Sequence, residues 1–166
     1  MTILVMGVTG AGKTTVGKLL AERLQWKFLD ADDFHPPANI EKMKRGISLT
    51  DADREPWLAA IHAALLECAA KNQDAVLACS ALKQSYREKL AQGIDLRICY
   101  LKGSFEEISR RLEHRSGHFA GEEILAGQFA DLEEPTDAVV LSATAGSEEN
   151  VREALRQLNL SAAGEK

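Results

Sequence analysis

The segment Gly7-Val8-Thr9-Gly10-Ala11-Gly12-Lys13-Thr14 completes a GxxxxGK[ST] pattern, and its flanks decide what the pattern means. An apolar run at 2–7 (TILVMG) leads in, and Val16, Leu19, Leu20 and Leu24 lead out at helical spacing. Strand, glycine-rich turn and helix in that order aim backbone N–H groups inward at the positive end of a helix dipole, which is a built site for phosphate. Lys13 is then expected to reach the β- and γ-phosphates and the Thr14 hydroxyl to ligate Mg²⁺. Gly7, Val8, Thr9, Gly10, Ala11, Gly12, Lys13, Thr14 and Thr15 together should wrap a purine nucleoside triphosphate, ATP in the preferred reading.

A loop of this kind needs an α/β frame, and the remaining pattern supplies one. Further apolar runs stand at 26–30, 75–79, 96–101 and 138–142, mostly continuous rather than alternating, as for strands covered on both faces of a parallel sheet. Amphipathic helical patterns separate them: Leu58, Ile61, Leu65 and Cys68; Phe105, Ile108 and Leu112; Val151, Leu155 and Leu158. Five strands with intervening helices make a fold of βαβ units with right-handed crossovers. The 166 residues, 45% of them hydrophobic, suit one domain with a self-sufficient core.

Two long stretches interrupt the alternation, 31–53 and 113–136, and segments of that length between core elements usually serve as binding loops or lids. The first opens with Asp30-Ala31-Asp32-Asp33 directly after the second strand, at the carboxyl edge where α/β proteins bind ligands. Strand alternation would send Asp30 and Asp32 to one side and Asp33 to the other. Asp30 is assigned to the metal shell, and Asp32 to the acceptor hydroxyl as general base. The third strand ends Ala78-Cys79-Ser80-Ala81 without the carboxylate a hydrolytic ATPase carries there. Ser80 and Lys83, following that strand, are candidate acceptor contacts, with helix capping and ordinary surface exposure as their structural alternatives. In the second stretch Arg111 and Arg115 share a helix face, and a lid arginine closing over the γ-phosphate would stabilise transferring charge.

The net charge of −5 argues against nucleic acid as a partner, since that affinity rests on many lysines and arginines. Cys68, Cys79 and Cys99, an odd number without CxxC spacing, read as free buried thiols of a reducing compartment. With no signal-like start and no apolar run near the ~20 residues of a membrane helix, a cytoplasmic, membrane-free location is expected. Trp26 and Trp57 read as packing, and His62 and His114 as helix-surface residues.

The blocks GVTGAGKTT, LDADDFHPPANIEKMKRGISLTDADREPWL, VLACSALKQSYREKL, RLEHRSGHF and QFADLEEP closely resemble the gluconate kinases (gluconokinases), small P-loop kinases related to shikimate kinases. They fall in the family's order over roughly residues 3–135, and the set DxDxxHP, NxxKM, DxDRxPWL and ACSALKxxYR is far more specific than the phosphate loop alone. The resemblance implies transfer of the ATP γ-phosphoryl group to the 6-hydroxyl of D-gluconate, with Mg²⁺. It also implies a nucleoside-monophosphate-kinase-like three-layer sandwich: a five-stranded parallel sheet, an acceptor-binding insertion at about 31–57, a helical lid at about 113–136, and a homodimer. His35 and Arg54 lie in blocks that would face the sugar acid, Arg54 as partner of its carboxylate unless it pairs with Asp51 or Asp53 instead. Arg115 stands nearest the HF block and is the preferred lid arginine, while His118 and Phe119 would order the closed lid. After that block Ala120-Gly121-Glu122 departs from the proline-containing stretch of many members.

Other readings stay open at this point. A kinase of the same architecture could take shikimate or a nucleoside monophosphate, although 31–57 shows no obvious aromatic slot for a base. A nucleotide-dependent switch protein would leave the DADDFH and SALK blocks without a role.

Overall fold

In the computed structural model, which describes residues 1–116 and 121–164, the strands are β1 (Thr2–Met6), β2 (Lys27–Asp30), β3 (Ala75–Ala78), β4 (Leu96–Lys102) and β5 (Val139–Ser142). They form one parallel sheet in the order β2-β3-β1-β4-β5. The three inner strands carry the sequence's continuous apolar runs most faithfully, with every residue of β1 and β3 buried. The edge strands β2 and β5 are only partly covered, because each has a neighbour on one side alone. β3 stops at Ala78, one residue before the apolar run ends, since Cys79 already turns toward the site.

Among the described residues the α-helices are α1 (Lys13–Leu24), α2 (Pro37–Lys44), α3 (Asp51–Ala70), α4 (Gln84–Ala91), α5 (Phe105–Ser116), α6 (Glu122–Asp131) and α7 (Ser147–Leu158), and all but α2 pack on the sheet. The two-residue period of β1 divides the core into two layers. Ile3 and Val5 face α1, α5, α6 and α7 through Leu20, Ile108, Leu125 and Val151. Leu4 and Met6 face α3 and α4 through Leu58, Ile61, Leu65 and Leu90. Cys99 and Cys79 are free thiols within these layers, and Cys68 is free and buried on α3.

The segment read as an irregular stretch contains more order than its prolines suggest. Ala31–Phe34 is a 3₁₀ turn, and Pro37 at the first position of α2 has the fixed φ a helix start needs and no N–H to satisfy. α3 opens with a capping box: the Thr50 hydroxyl accepts from the Asp53 N–H, and the Asp53 carboxylate accepts from the Thr50 N–H. α2 is docked on this start by Lys42, 2.8 Å from both Asp53 oxygens, and by buried Asn39, whose amide donates to the Asp53 carbonyl at 2.9 Å.

β1 lies between β3 and β4, so the chain leaves it toward one half of the sheet and later returns to build the other. The crevice beyond its carboxyl end is therefore the topological switch point, where open α/β sheets hold ligands.

Candidate active site

The loop after β1 is shaped by its glycines. Gly10 has φ +79, and a Cβ there would lie 2.7 Å from Leu112 Cγ on α5, so both conformation and space exclude a side chain. Gly12, with φ +99, caps α1 and turns the helix N-terminus into the crevice. Lys13 folds over the loop and donates to the Val8 carbonyl at 2.9 Å. Burial lowers its pKa, opposed by the negative charge of Asp32 and Asp30 beside it.

Thr9, Gly10, Gly12, Lys13, Thr14, Thr15, Asp30, Asp32, Ser80, Arg115 and Gln128 line one polar cavity of about 260 Å³. Gly7, Val8 and Ala11 shape the loop without lining it. The Thr14 hydroxyl donates to Asp30 Oδ2 at 2.9 Å, so the two candidate metal ligands already meet. A hydroxyl and a carboxylate beside a phosphate cradle suit Mg²⁺, which takes one or two protein oxygens and completes its shell with phosphate oxygens and water. Among the described residues no cluster of three or more His, Cys, Asp or Glu would hold a metal unaided.

Asp30 and Asp32 do face the same cavity, but for a reason other than strand alternation. β2 ends at Asp30, whose Oδ1 accepts the Asp32 N–H at 3.0 Å and caps the 3₁₀ turn, and this turn delivers Asp32 to the crevice. Cys79, in the cavity wall, stays a thiol: burial pushes its pKa up to about 12.

A second cavity of about 290 Å³ shares Asp32, Ser80 and Gln128 with the first and is lined further by His35, Arg54 and Trp57 and by the apolar Met43, Ile47, Leu49 and Ile124. Trp57 is more than packing. Its Nε1–H donates to the Ala31 carbonyl at 2.7 Å, and its ring stacks on His35 at 4.6 Å between centroids, 6° from parallel. His35 thereby covers one indole face, which leaves that face closed to a stacking base. Burial lowers the His35 pKa, outweighing Asp32, and Arg54 adds to the lowering, so the ring is neutral near pH 7.

Arg54 is held by a small ionic web. Its Nη1 donates to Tyr86 Oη at 3.3 Å and lies 3.9 Å from Asp51 Oδ1. Tyr86 donates to Asp51 in turn, and Lys83 Nζ donates to the same carboxylate at 3.0 Å. The hydrogen bonds from Tyr86 and Lys83 lower the Asp51 pKa. Asp53, the other possible partner of Arg54, is taken by Lys42 and Thr50.

Comparison with known proteins places this geometry in a family. The family model described as shikimate kinase matches residues 9–158. The gluconokinase of Gluconobacter oxydans (strain 621H) is 52% identical over 137 residues, covering 81% of this chain and 76% of that one. A probable gluconokinase of Mus musculus is 47% identical over 152 residues, 81% of this chain and 83% of the relative. The chain belongs to the gluconokinase family. Among solved structures, the crystal structure of a gluconokinase from Sinorhizobium meliloti 1021 superposes with a TM-score of 0.87 at 43% identity, covering 95% of this chain and 91% of that one.

Within this gluconokinase-family site, the structure brings Lys13, Thr14, Asp30, Asp32, Ser80 and Arg115 to the phosphate cavity, and Asp32, His35, Arg54 and Ser80 to the adjoining one. Ser80 is not the cap of α4; that position belongs to Lys83. Lys83 lines neither cavity and is engaged by Asp51. His118 and Phe119 lie outside the described residues.

Two contributors, Arg87 and Gln128, were missed by reading the sequence, and Arg111, a candidate lid arginine there, has a different task in the structure. Arg111 donates to the Ala143 carbonyl and rests beside Gly12, bracing α5 against the loop. Buried Arg87 donates to the carbonyls of Ala81, Leu82 and Glu133, fixing the turn after β3 to the chain after α6. Gln128 on α6 accepts the Thr9 N–H at 2.6 Å. A signal for it existed: Leu125, Gln128, Phe129 and Leu132 follow i, i+3, i+4, i+7 spacing, and a glutamine inside an apolar stripe asks for a partner.

Proposed function

We propose that the protein transfers the γ-phosphoryl group of ATP to the 6-hydroxyl of D-gluconate, yielding 6-phospho-D-gluconate and ADP. The observation that carries this reading is the junction of the two cavities: Asp32, Ser80 and Gln128 line both, so a phosphate donor in one meets an acceptor in the other across these three side chains.

The loop N–H groups and the start of α1 receive the phosphates, and Lys13 neutralises charge on the transferring group. Thr14 and Asp30 would hold Mg²⁺, which supplies charge neutralisation on the β- and γ-oxygens. Arg115 reaches the phosphate cavity from α5, the part of the lid segment 113–136 nearest the donor, and adds positive charge where the transition state spreads its own. The cleft bordered by Arg110, Arg111, His114 and Thr144, continuous with this side through Arg115, is the place for the nucleoside end.

The acceptor lies in the cavity made by the 31–57 insertion. Arg54 lines that cavity and not the phosphate cavity, so a carboxylate paired with its guanidinium points away from the donor. A linear sugar acid anchored there presents its far end, carbon 6, to the junction. Neutral His35 and the Ser80 hydroxyl offer hydrogen bonds to the intervening hydroxyls, and Asp32 accepts the proton of the attacking 6-hydroxyl as the new O–P bond forms.

The same reading makes the chain one kinase domain, working in the cytoplasm as a homodimer on a small-molecule substrate without nucleic acid or membrane. Three free buried thiols support a reducing compartment and the acidic charge supports the exclusion of nucleic acid, while the homodimer is what the family resemblance implies; among the described residues no helix is long and apolar enough to cross a membrane. A coupled ADP-release assay over gluconate, other aldonates, shikimate and nucleoside monophosphates tests the function. Gluconate should stimulate ADP release most; stimulation by another acceptor with gluconate at background would leave a kinase of different specificity.

A further inference from the structure

Of the three side chains at the junction, Asp32 accepts and Ser80 carries a single hydroxyl; Gln128 alone combines an uncharged acceptor with two donors. Its position is set by α6. Leu125, one turn earlier, is fully buried in the core, and Phe129 packs edge-on against Phe105 with ring centroids 5.8 Å apart. The oxygen of the amide is spent on the phosphate loop, where Thr9 N–H donates to Oε1 at 2.6 Å across 119 residues of chain. The orientation this fixes leaves the amide hydrogens, which have no partner among the described residues, for the junction.

We propose that Gln128 is a catalytic residue for phosphoryl transfer, its Oε1 holding the Thr9 N–H while its amide N–H groups donate to oxygens of the γ-phosphoryl group. The transferring group presents three equatorial oxygens that only accept, so a donor on the acceptor side complements Lys13 on the loop side. The amide spans both duties because one end is an acceptor and the other a donor; a carboxylate of the same shape keeps the first and loses the second. Gln128 also links nucleotide occupancy to the lid segment, since the residue that senses the γ-phosphoryl group sits on α6 and lines the acceptor cavity as well.

The proposal rests on the phosphoryl-transfer reading but not on which acceptor is used, and the test separates the two. Gln128→Glu and Gln128→Met are compared with the wild-type chain for calorimetric affinity toward Mg·ADP and toward the Mg complex of the β,γ-imido analogue of ATP. Thermal unfolding of each variant is followed alongside. The expected result is Mg·ADP affinity within about threefold of wild type for Gln128→Glu, which keeps the Thr9 contact, and for both variants analogue affinity weakened about tenfold or more relative to Mg·ADP affinity. Turnover with gluconate should fall about 10²-fold in kcat with little change in acceptor KM, as for loss of one donor to transition-state charge. A purely structural role would weaken both nucleotides together, and that outcome, or a kcat within threefold of wild type for both variants, overturns the proposal. If gluconate is not phosphorylated at all, the acceptor assignment fails while the ratio of analogue to ADP affinity still decides the role of Gln128. Gln128→Met serves where Gln128→Glu does not fold, because it removes both hydrogen bonds without adding charge.

Discussion

The two cavities that meet at Asp32 are built in different ways. The phosphate cavity is shaped by backbone: a single loop, Gly7 to Thr14, whose φ angles at Gly10 and Gly12 exclude side chains, closed by the end of β2. The acceptor cavity is shaped by side chains from separate segments, held in register by the Arg54–Tyr86–Asp51–Lys83 web and by the Asn39 and Lys42 contacts to Asp53. A site of the first kind tolerates no change of shape yet accepts any nucleoside triphosphate its charges suit. A site of the second kind can be retuned residue by residue, which is how one architecture serves acceptors as different as shikimate and a sugar acid.

This contrast breaks if substitutions in the two regions act alike. The largest effect is expected at the junction: Asp32→Asn should lower kcat by about 10²–10⁴-fold, the ordinary range for losing a general base, while calorimetric Mg·ADP affinity changes little. Lys13→Met should cost about 10²–10³ in kcat through lost stabilisation of the transferring charge, and nucleotide titration should show weaker triphosphate binding as well. Arg54→Lys keeps the charge and loses the planar fork, so steady-state kinetics should show gluconate KM raised about tenfold with kcat largely kept; an unchanged KM would remove Arg54 from carboxylate recognition.

The smallest effect concerns the frame around the acceptor. Hydrogen bonds from Lys42 and Thr50 hold the Asp53 pKa down to about 2, below the ordinary carboxylate value. A depressed carboxylate contributes stability that is complete above its unfolded pKa and disappears as pH falls toward the folded one. Denaturant midpoints of wild type and Asp53→Asn should therefore differ most above about pH 4 and converge as pH approaches 2. A difference that instead grew with acidification would contradict the ion pair as the clamp between α2 and α3.

Local signals made the frame and the phosphate loop legible in the sequence. Continuous apolar runs located five strands, and one glycine pattern located the loop, because both are decided by residues close together in the chain. Asp32 was found from its place after β2, although a 3₁₀ turn capped by Asp30 delivers it and not strand alternation. Gln128 and Arg87 were not found, since each acts on a backbone group distant in sequence, Thr9 from 119 residues away and Glu133 from 46; Arg111 stood as a lid candidate, but its contact with the Ala143 carbonyl, 32 residues away, was hidden for the same reason. The double duty of Trp57 was likewise hidden, because a buried tryptophan at helical spacing looks the same whether or not a cavity opens beside it.

The central claim is that an acceptor anchored by its carboxylate at Arg54 offers its far terminal hydroxyl to a phosphoryl group at Asp32. Phosphorus and carbon NMR of the product formed from ATP and gluconate tests it directly. The account predicts one phosphomonoester, on carbon 6, formed in equal amount with ADP. Phosphate on any other carbon, or ADP accompanied by inorganic phosphate in place of the ester, would contradict it.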